Sequence, residues 1–448
     1  MPFDPGHDAL LNELLEQSFG YFLAEANPAN GLVRDKSAPG WPASIAAVGL
    51  ALTVYPIGVE RGLMTRADAR ARSLTTLRFF ASSRQGKGPR ASGYRGFYYH
   101  FLDMETGARA GSSELSSVDT ALLMAGVLTA AAYFSAGHAD EVEIRALADL
   151  LYRRVEWRWM LAGSPLLCHG WKPRTGFLPY HWKGYDEALI LYILALGSPT
   201  HGIDASSYQA WLSGYQWKRI YDIELVYAGP LFIHQLSHVW IDFRGIQDSY
   251  MAERDIDYFE NSRRAAYVQQ RYAIHNPYHF AHYGEFAWGI TASDGPGPVR
   301  KKVSGTARVF FDYIARGVPY GPDDGTLAPW AVIASLPFAP EIVIPTVQAY
   351  RKLDLPLADP HGFQASYNPS FREAGDPDHG WVSAYHFGIN EGPAVVMIDN
   401  YRQDFVWGLM RRCCYVKAGL RKAGFRGCWL GGDVVTAPPL APEPPDGL

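Results

Sequence analysis

Cysteine is scarce: Cys168, Cys413, Cys414 and Cys428 are the only ones among 448 residues, and no two form a C-x-x-C pair. Neither a disulfide framework nor a thiolate zinc site is indicated. No uninterrupted apolar run reaches the roughly 18 residues that would suggest a membrane span. Charge of one sign is also missing. The 41 Lys and Arg residues are scattered against 45 Asp and Glu, for a net charge of −4, so no basic stripe is available to neutralise phosphates and nucleic acid is not expected as a partner. There is no G-x-S-x-G elbow, no phosphate-binding glycine loop, no dinucleotide fingerprint and no H-E-x-x-H, which leaves nucleotide chemistry without support. The opening MPFDPGHDALLNELLEQSFGYFL has no basic segment leading into an apolar core. It reads as an amphipathic helix rather than a secretion leader, which favours the cytoplasm, or the periplasm if a leader has been removed.

What is abundant is apolar and aromatic. Hydrophobic residues make up 48% and charged ones only 19%, with 13 Trp and 27 Tyr, so the chain can bury a large core. Six segments are apolar nearly all round: 43–58, 116–134, 186–197, 229–240, 325–338 and 390–407. Six others carry a charged face: 9–23, 66–81, 141–160, 206–216, 248–273 and 340–353. A helix apolar on every side is buried, and one with a polar face lies outside it. The alternation predicts an all-α fold, an (α/α)6 barrel or toroid, with Thr65-x-x-Asp68 as a capping-box start for one outer helix. No composition break marks a boundary, so residues 1–430 read as one domain and 431–448, rich in proline, as a flexible tail.

Four connections are too long to be plain turns: 85–113, 163–185, 275–303 and 358–389. Long loops in a compact domain usually carry function, and these gather where the inner helices begin. Acids concentrate at that end: Glu114 and Asp119, Asp186 and Glu187, Asp323 and Asp324, and Glu391. Each has a structural use, since acids complement a helix N-terminus and Ser116-x-x-Asp119 is itself a capping box. Their convergence beside aromatic residues such as Tyr94, Trp182, Tyr185 and Trp288 suits glycoside hydrolysis, which needs one protonated and one ionised carboxyl across the scissile bond. Glu187 is the favoured acid, because the apolar ALILYILAL behind it and Trp182 and Tyr185 before it disfavour its charge. His234-x-x-x-His238 and the loop histidines His275, His279 and His282 could suggest a metal, but neither group has a cysteine or H-E-x-x-H partner. No metal or cofactor is expected. His275 and His279 are read, with Asp324 and Glu391, as contacts to sugar hydroxyls.

The segments SSELSSVDTALLMAG, WKGYDEALILYILALGSPTH, IDFRGIQDSYM, EFAWGITASDGPG, DDGTLAPWAVIASLPFAPE and GINEGPAVVMIDNYR together resemble the glucoamylase-like conserved domain. That domain occurs in bacterial β-1,2-glucanases of glycoside hydrolase family 144 and in the middle of cyclic β-1,2-glucan synthases. The resemblance runs over 11–409 in unbroken order. It implies an (α/α)6 barrel without cofactor acting on β-1,2-glucan, places the family's acid on Glu187, and places the acidic positions of the SS-x-D-T-A-L-L helix on Asp119, with Glu114 just before it. Glu391 stands where many relatives carry an amide. A β-1,2-glucan hydrolase is the leading expectation. A transglycosylase with the same acids, an (α/α)6 epimerase or isomerase, and a non-catalytic glycan-binding protein are the alternatives, and fold alone does not choose among them.

Overall fold

A computed structural model describes residues 5–431, apart from 304, 354, 356–359 and 374. The helices, in chain order, are α1 (Pro5–Ala24), α2 (Ile45–Glu60), α3 (Arg66–Ser82), α4 (Ser117–Tyr133), α5 (Ala139–Arg153), α6 (Leu189–Gly197), α7 (Ala205–Leu212), α8 (Ser249–Ala252), α9 (Tyr258–His275), α10 (Pro329–Ile333), α11 (Pro340–Lys352), α12 (Gly388–Gln403), α13 (Phe405–Met410) and α14 (Cys414–Ala423). The fold is an (α/α)6 barrel. Its inner ring runs α2, α4, α6, a pair of 3-10 turns at Leu231–His234 and Leu236–Val239, α10 and α12, and closes where α12 packs on α2. The outer layer is laid against it: α1 on α12 and α2, α3 on α2 and α5, α5 on α4, α11 on α10. One apolar core continues from Leu10 to Leu430. No described helix is long and apolar enough to cross a membrane.

Local chemistry sets the helix starts. Thr65 Oγ1 accepts the Asp68 N–H at 3.1 Å, the N-cap half of a capping box, and donates its own hydroxyl to the Asp68 carboxylate at 2.7 Å. Ser44 and Ser116 cap α2 and α4 through the N–H groups of Ala47 and Asp119. These two inner helices touch at glycines: a Cβ on Gly126 would collide with the Gly49 carbonyl, and one on Gly49 with that of Leu122.

The alternating pattern is realised with departures: among the outer segments, 141–160 is α-helical only to Arg153, 206–216 only to Leu212, and 248–273 is broken into α8 and α9. The segment 229–240 is not an α-helix: its internal backbone bonds are of the 3-10 kind, such as Gln235 N–H to Phe232 O at 3.0 Å, and other backbone groups are bonded to neighbours, with Leu231 N–H donating to Ile290 O at 3.2 Å, Phe232 N–H to Thr291 Oγ1 at 3.0 Å, and His234 O accepting from Ser262 Oγ at 2.6 Å. In 325–338 the first residues are extended, with Leu327 paired to Tyr367, and the helix is shortened to the turn and a half of α10 behind Pro329. In 186–197 the helix begins only at Leu189. Finally α13 and α14 extend the helical body past the last inner segment; α14 covers α6 and meets it at Gly419, whose Cβ would strike the Ile193 carbonyl. Beyond Gly431 the Pro-rich tail lies outside the described residues.

In an open helix interior, Gly→Ala gains up to about 1 kcal/mol from propensity; at Gly126 the added methyl must push α2 away from α4, and overpacking costs about 1–3 kcal/mol. Gly126→Ala is expected to lower the melting temperature, whereas Gly408→Ala in α13, with no atom within 4 Å of the new methyl, is expected to leave it unchanged or raise it. Calorimetry of the two variants beside the parent chain checks this.

Candidate active site

Where the inner elements begin, the connections enclose a cavity of about 620 Å³, and every one of the six lends it side chains: Asp35, Lys36 and Trp41; His100 and Glu114; His169, Trp182 and Glu187; Phe232; Asp294, Asp312 and Tyr313; Phe387 and Asn390. Short ladders hold these connections together. Ala43–Ser44 pairs antiparallel with Phe101–Leu102, and Leu115–Ser116 pairs with Gly170–Lys172. Lys36 bridges to Phe387, and Gly388 N–H donates to Asp35 O at 2.9 Å. Ser383 Oγ donates to the Asp294 carboxylate at 2.9 Å. Five of the six connections are therefore joined by hydrogen-bonded contacts and are not independent loops.

Glu187 and Asp119 face this space from neighbouring inner elements. Glu187 stands in the turn before α6, two residues ahead of a helix buried along its whole length. Burial pushes its carboxyl from an ordinary 4.5 up to about 7; a hydrogen bond from its own backbone opposes the shift and the negative charge of Asp119 adds to it. Asp119 is only 6% exposed. It lies in the first turn of α4, its Oδ2 accepts the Ser116 hydroxyl at 2.5 Å, and His100 Nε2 is 3.6 Å from the same oxygen. A helix N-terminus, a hydroxyl donor and a ring N–H all complement negative charge.

Glu114, the third acid, is bonded to His100 Nδ1 at 3.0 Å, and that bond is the main cause of the lowering of its carboxyl below the usual range. Trp182 lines the cavity with its indole N–H donated to Ser117 Oγ at 2.9 Å and its face stacked on His169 at 3.7 Å. Glu187, Asp119, Glu114 and Trp182 are thus brought together.

The remaining residues expected at the site lie elsewhere, each engaged by other groups. Tyr94 packs between Trp159 and Trp171. Tyr185 is buried behind the wall among Tyr215, His234 and Tyr258. Asp186, beside Glu187, turns away to accept Ala188 N–H at 3.0 Å and Trp211 Nε1–H at 3.1 Å. Asp324 is buried against the wholly buried Arg316, which contacts it at 2.7 and 2.9 Å, and also accepts Phe311 N–H at 2.9 Å. It therefore anchors the segment that presents Asp312 and Tyr313 instead of entering the cavity. Glu391 is buried with His386 at 3.1 Å while its neighbour Asn390 reaches the cavity. Trp288 is fully buried and donates to Thr346 of α11 at 2.9 Å. His275 stacks on Tyr221 at the exposed end of α9, and His279 is exposed in a left-handed turn at φ 53°. His234 and His238 are buried and held neutral by burial, lowered to about 4 and about 3. Among the described residues no group of three or more His, Cys, Asp or Glu is arranged to hold a metal ion.

Sequence reasoning missed His100, Asp35, Lys36, Trp41, Asp294, Asp312 and Tyr313. The run FYYHF around His100 carries the same signal, polar residues among aromatics in a long loop, that pointed to the other histidines. Asp35, whose carboxylate accepts Trp41 Nε1–H at 3.1 Å, sits in a connection too short to draw attention by length.

Comparison with known proteins follows this geometry. The sophorohydrolase of Parabacteroides distasonis, an exo-β-1,2-glucooligosaccharide enzyme acting at the non-reducing end, is 30% identical over 450 residues that cover 93% of this chain; the chain spans 58% of that relative's length. The structure superimposes on an endo-β-1,2-glucanase from Chitinophaga pinensis in complex with sophorotriose and glucose, at TM-score 0.82 and 27% identity over 94% of this chain and 99% of that one. A Bacteroides uniformis ATCC 8492 protein described as a glucoamylase gives TM-score 0.84 at 29% identity, covering 95% and 99% of the two chains. The family model described as "Putative glucoamylase" matches residues 179–414, the stretch that contains Glu187, Asp294, Asp312 and Tyr313. That match takes in more than half of the residues, and the chain belongs to this glucoamylase-like, Glycoamylase family.

Proposed function

We propose that the chain is a glycoside hydrolase cleaving β-1,2-linked glucan, with Glu187 as general acid and Asp119 as the opposing carboxylate. The observation that carries this reading is the unequal pair itself: two carboxyl groups in one cavity, one raised to about 7 by burial and the other facing the Ser116 hydroxyl and the His100 ring. Glu187 gives its proton to the glycosidic oxygen as the bond to the anomeric carbon breaks. Asp119 takes a proton from the attacking water, directly or through a substrate hydroxyl. Glu114 is engaged by His100 and serves to position rather than to react. Trp41 and Tyr313, 40% and 51% exposed in the cavity wall, offer apolar faces to sugar rings. The continuous core supports treating residues 1–430 as one catalytic domain. The Parabacteroides and Chitinophaga relatives are named as hydrolases of β-1,2-linked glucosides, and the Bacteroides uniformis protein is also named as a hydrolase, so transglycosylation, epimerisation and binding without turnover are not favoured.

Glu187→Gln is expected to lower kcat at least about 10²-fold, the lower end for loss of a general acid. The acid form is the active one, so kcat/KM of the parent enzyme should fall as pH rises through about 7. The same raised pKa means that the folded state binds the proton more tightly than the unfolded chain does. Stability is therefore lost as pH rises from 4.5 to about 7, and the Gln variant should melt above the parent at pH 8 but not at pH 4. Rate profiles and melting curves of the two proteins check both signs. Incubation with linear β-1,2-glucan, laminarin, cellulose and starch in parallel is expected to release products from β-1,2-glucan and none from starch, read by chromatography.

A further inference from the structure

His100 sits at the junction of three elements. Its backbone N–H donates to Glu114 O at 2.8 Å, and its carbonyl accepts the N–H of Ile45, the first residue of α2, at 3.2 Å. Its ring stacks on Phe101 with centroids 4.0 Å apart and planes 13° from parallel. With backbone and ring plane both fixed, each ring nitrogen meets a carboxylate: Nδ1 faces Glu114 Oε1 at 3.0 Å, and Nε2 faces Asp119 Oδ2 at 3.6 Å. A neutral imidazole has one N–H and one lone pair, so one of two ionised carboxylates would face a lone pair. Only the doubly protonated ring satisfies both.

Building on the hydrolytic reading above, we infer that His100 is a positioning residue, an imidazolium clamp that ties Glu114 to Asp119 and holds the reacting carboxylate in place from behind. Among the described residues the contacts to Asp119 fall on Oδ2, from Ser116 and from His100, which leaves Oδ1 for the nucleophile. The charged groups facing the ring are Asp119, Glu114 and, from the first connection, Asp35. Burial works against the cation, and the three carboxylates outweigh it, raising His100 to about 9. The ring therefore stays charged wherever Glu187 is protonated. Glu114, which is not needed to react, supplies the second negative charge that makes the cation stable between two acids.

The test compares the parent chain with His100→Gln and His100→Lys on linear β-1,2-glucan, with melting curves of each. His100→Gln keeps a donor but no charge. It is expected to lower kcat about tenfold or more with KM changed less than about twofold, since a small misplacement of a reacting group costs up to about 10²-fold. The acid limb of kcat/KM should also move up by about one pH unit, as loss of a cation within about 4–6 Å of a carboxylate predicts. His100→Lys, which restores the charge, should return the acid limb toward its parental position. Unchanged kcat and an unmoved limb in a folded His100→Gln protein, with Glu187→Gln inactive, would overturn the clamp and leave the hydrolytic reading standing. Full activity in both variants would remove the clamp and Glu187 as the acid together, and no turnover of β-1,2-glucan by the parent chain would remove the hydrolytic reading itself. Should His100→Gln not fold, 15N NMR of the imidazole in the parent chain decides: two protonated nitrogens at pH 8, with one proton lost earlier in Glu114→Gln, support the clamp, and a single protonated nitrogen at pH 7 overturns it.

Discussion

The structure is organised around the cost of taking a carboxyl group out of water. The Glu187 carboxyl is raised to about 7 because the apolar ring behind it withholds solvent and Asp119 faces it with a negative charge. Asp119 has different surroundings: it stands at the N-terminus of α4 and accepts the Ser116 hydroxyl on the oxygen that His100 Nε2 approaches at 3.6 Å. Two acids of nearly equal intrinsic strength are thus set apart by surroundings alone. Had the inner helices stood further apart, water would reach Glu187 and the burial that raises its carboxyl would be lost. The glycine contact between α2 and α4, and that between α14 and α6, are therefore part of the chemistry as well as of the packing.

Short inner helices leave room for this arrangement. Where the ring is built of 3-10 turns and the brief α10, backbone polar groups that a longer helix would have used on itself are satisfied across elements, as when Gln235 Nε2 donates to Ala331 O at 2.5 Å and to Ser335 Oγ at 2.7 Å. Buried polar groups require such partners. The rim follows the same logic. The Arg316–Asp324 pair, buried completely, fixes the segment that delivers Asp312 and Tyr313, and short ladders fasten the first connection to the second and the second to the third. Loops placed by a rigid scaffold in this way can present chemistry without being mobile.

The barrel was legible in the sequence because burial on all sides and burial on one side leave different periodicities, and six of each alternate along the chain. What periodicity could not show was rotation about a helix and the reach of a loop. Glu391 and Asn390 are adjacent, yet only Asn390 reaches the cavity. Asp186 and Glu187 are adjacent, and a bond from Trp211 of α7 decides which of them turns away. The segment 229–240 is apolar enough to read as helix, and only its distant partners Ile290, Thr291 and Ser262 explain why it is not. Glu187, Asp119 and Glu114 were legible because they lie just ahead of inner helices or in their first turn, where a sequence pattern can place them. His100, Asp35 and Asp294 lie where only the closure of the ring brings residues together.

The central claim, that burial raises the Glu187 carboxyl to about 7, is tested most directly on the carboxyl itself. With glutamate carrying 13C at Cδ and Glu187→Gln used for assignment, NMR should show one resonance that titrates near pH 7 in the parent protein and is missing from the variant. If every glutamate carboxyl titrated within the ordinary range around 4–5, the account of how this site divides acid from base would be contradicted.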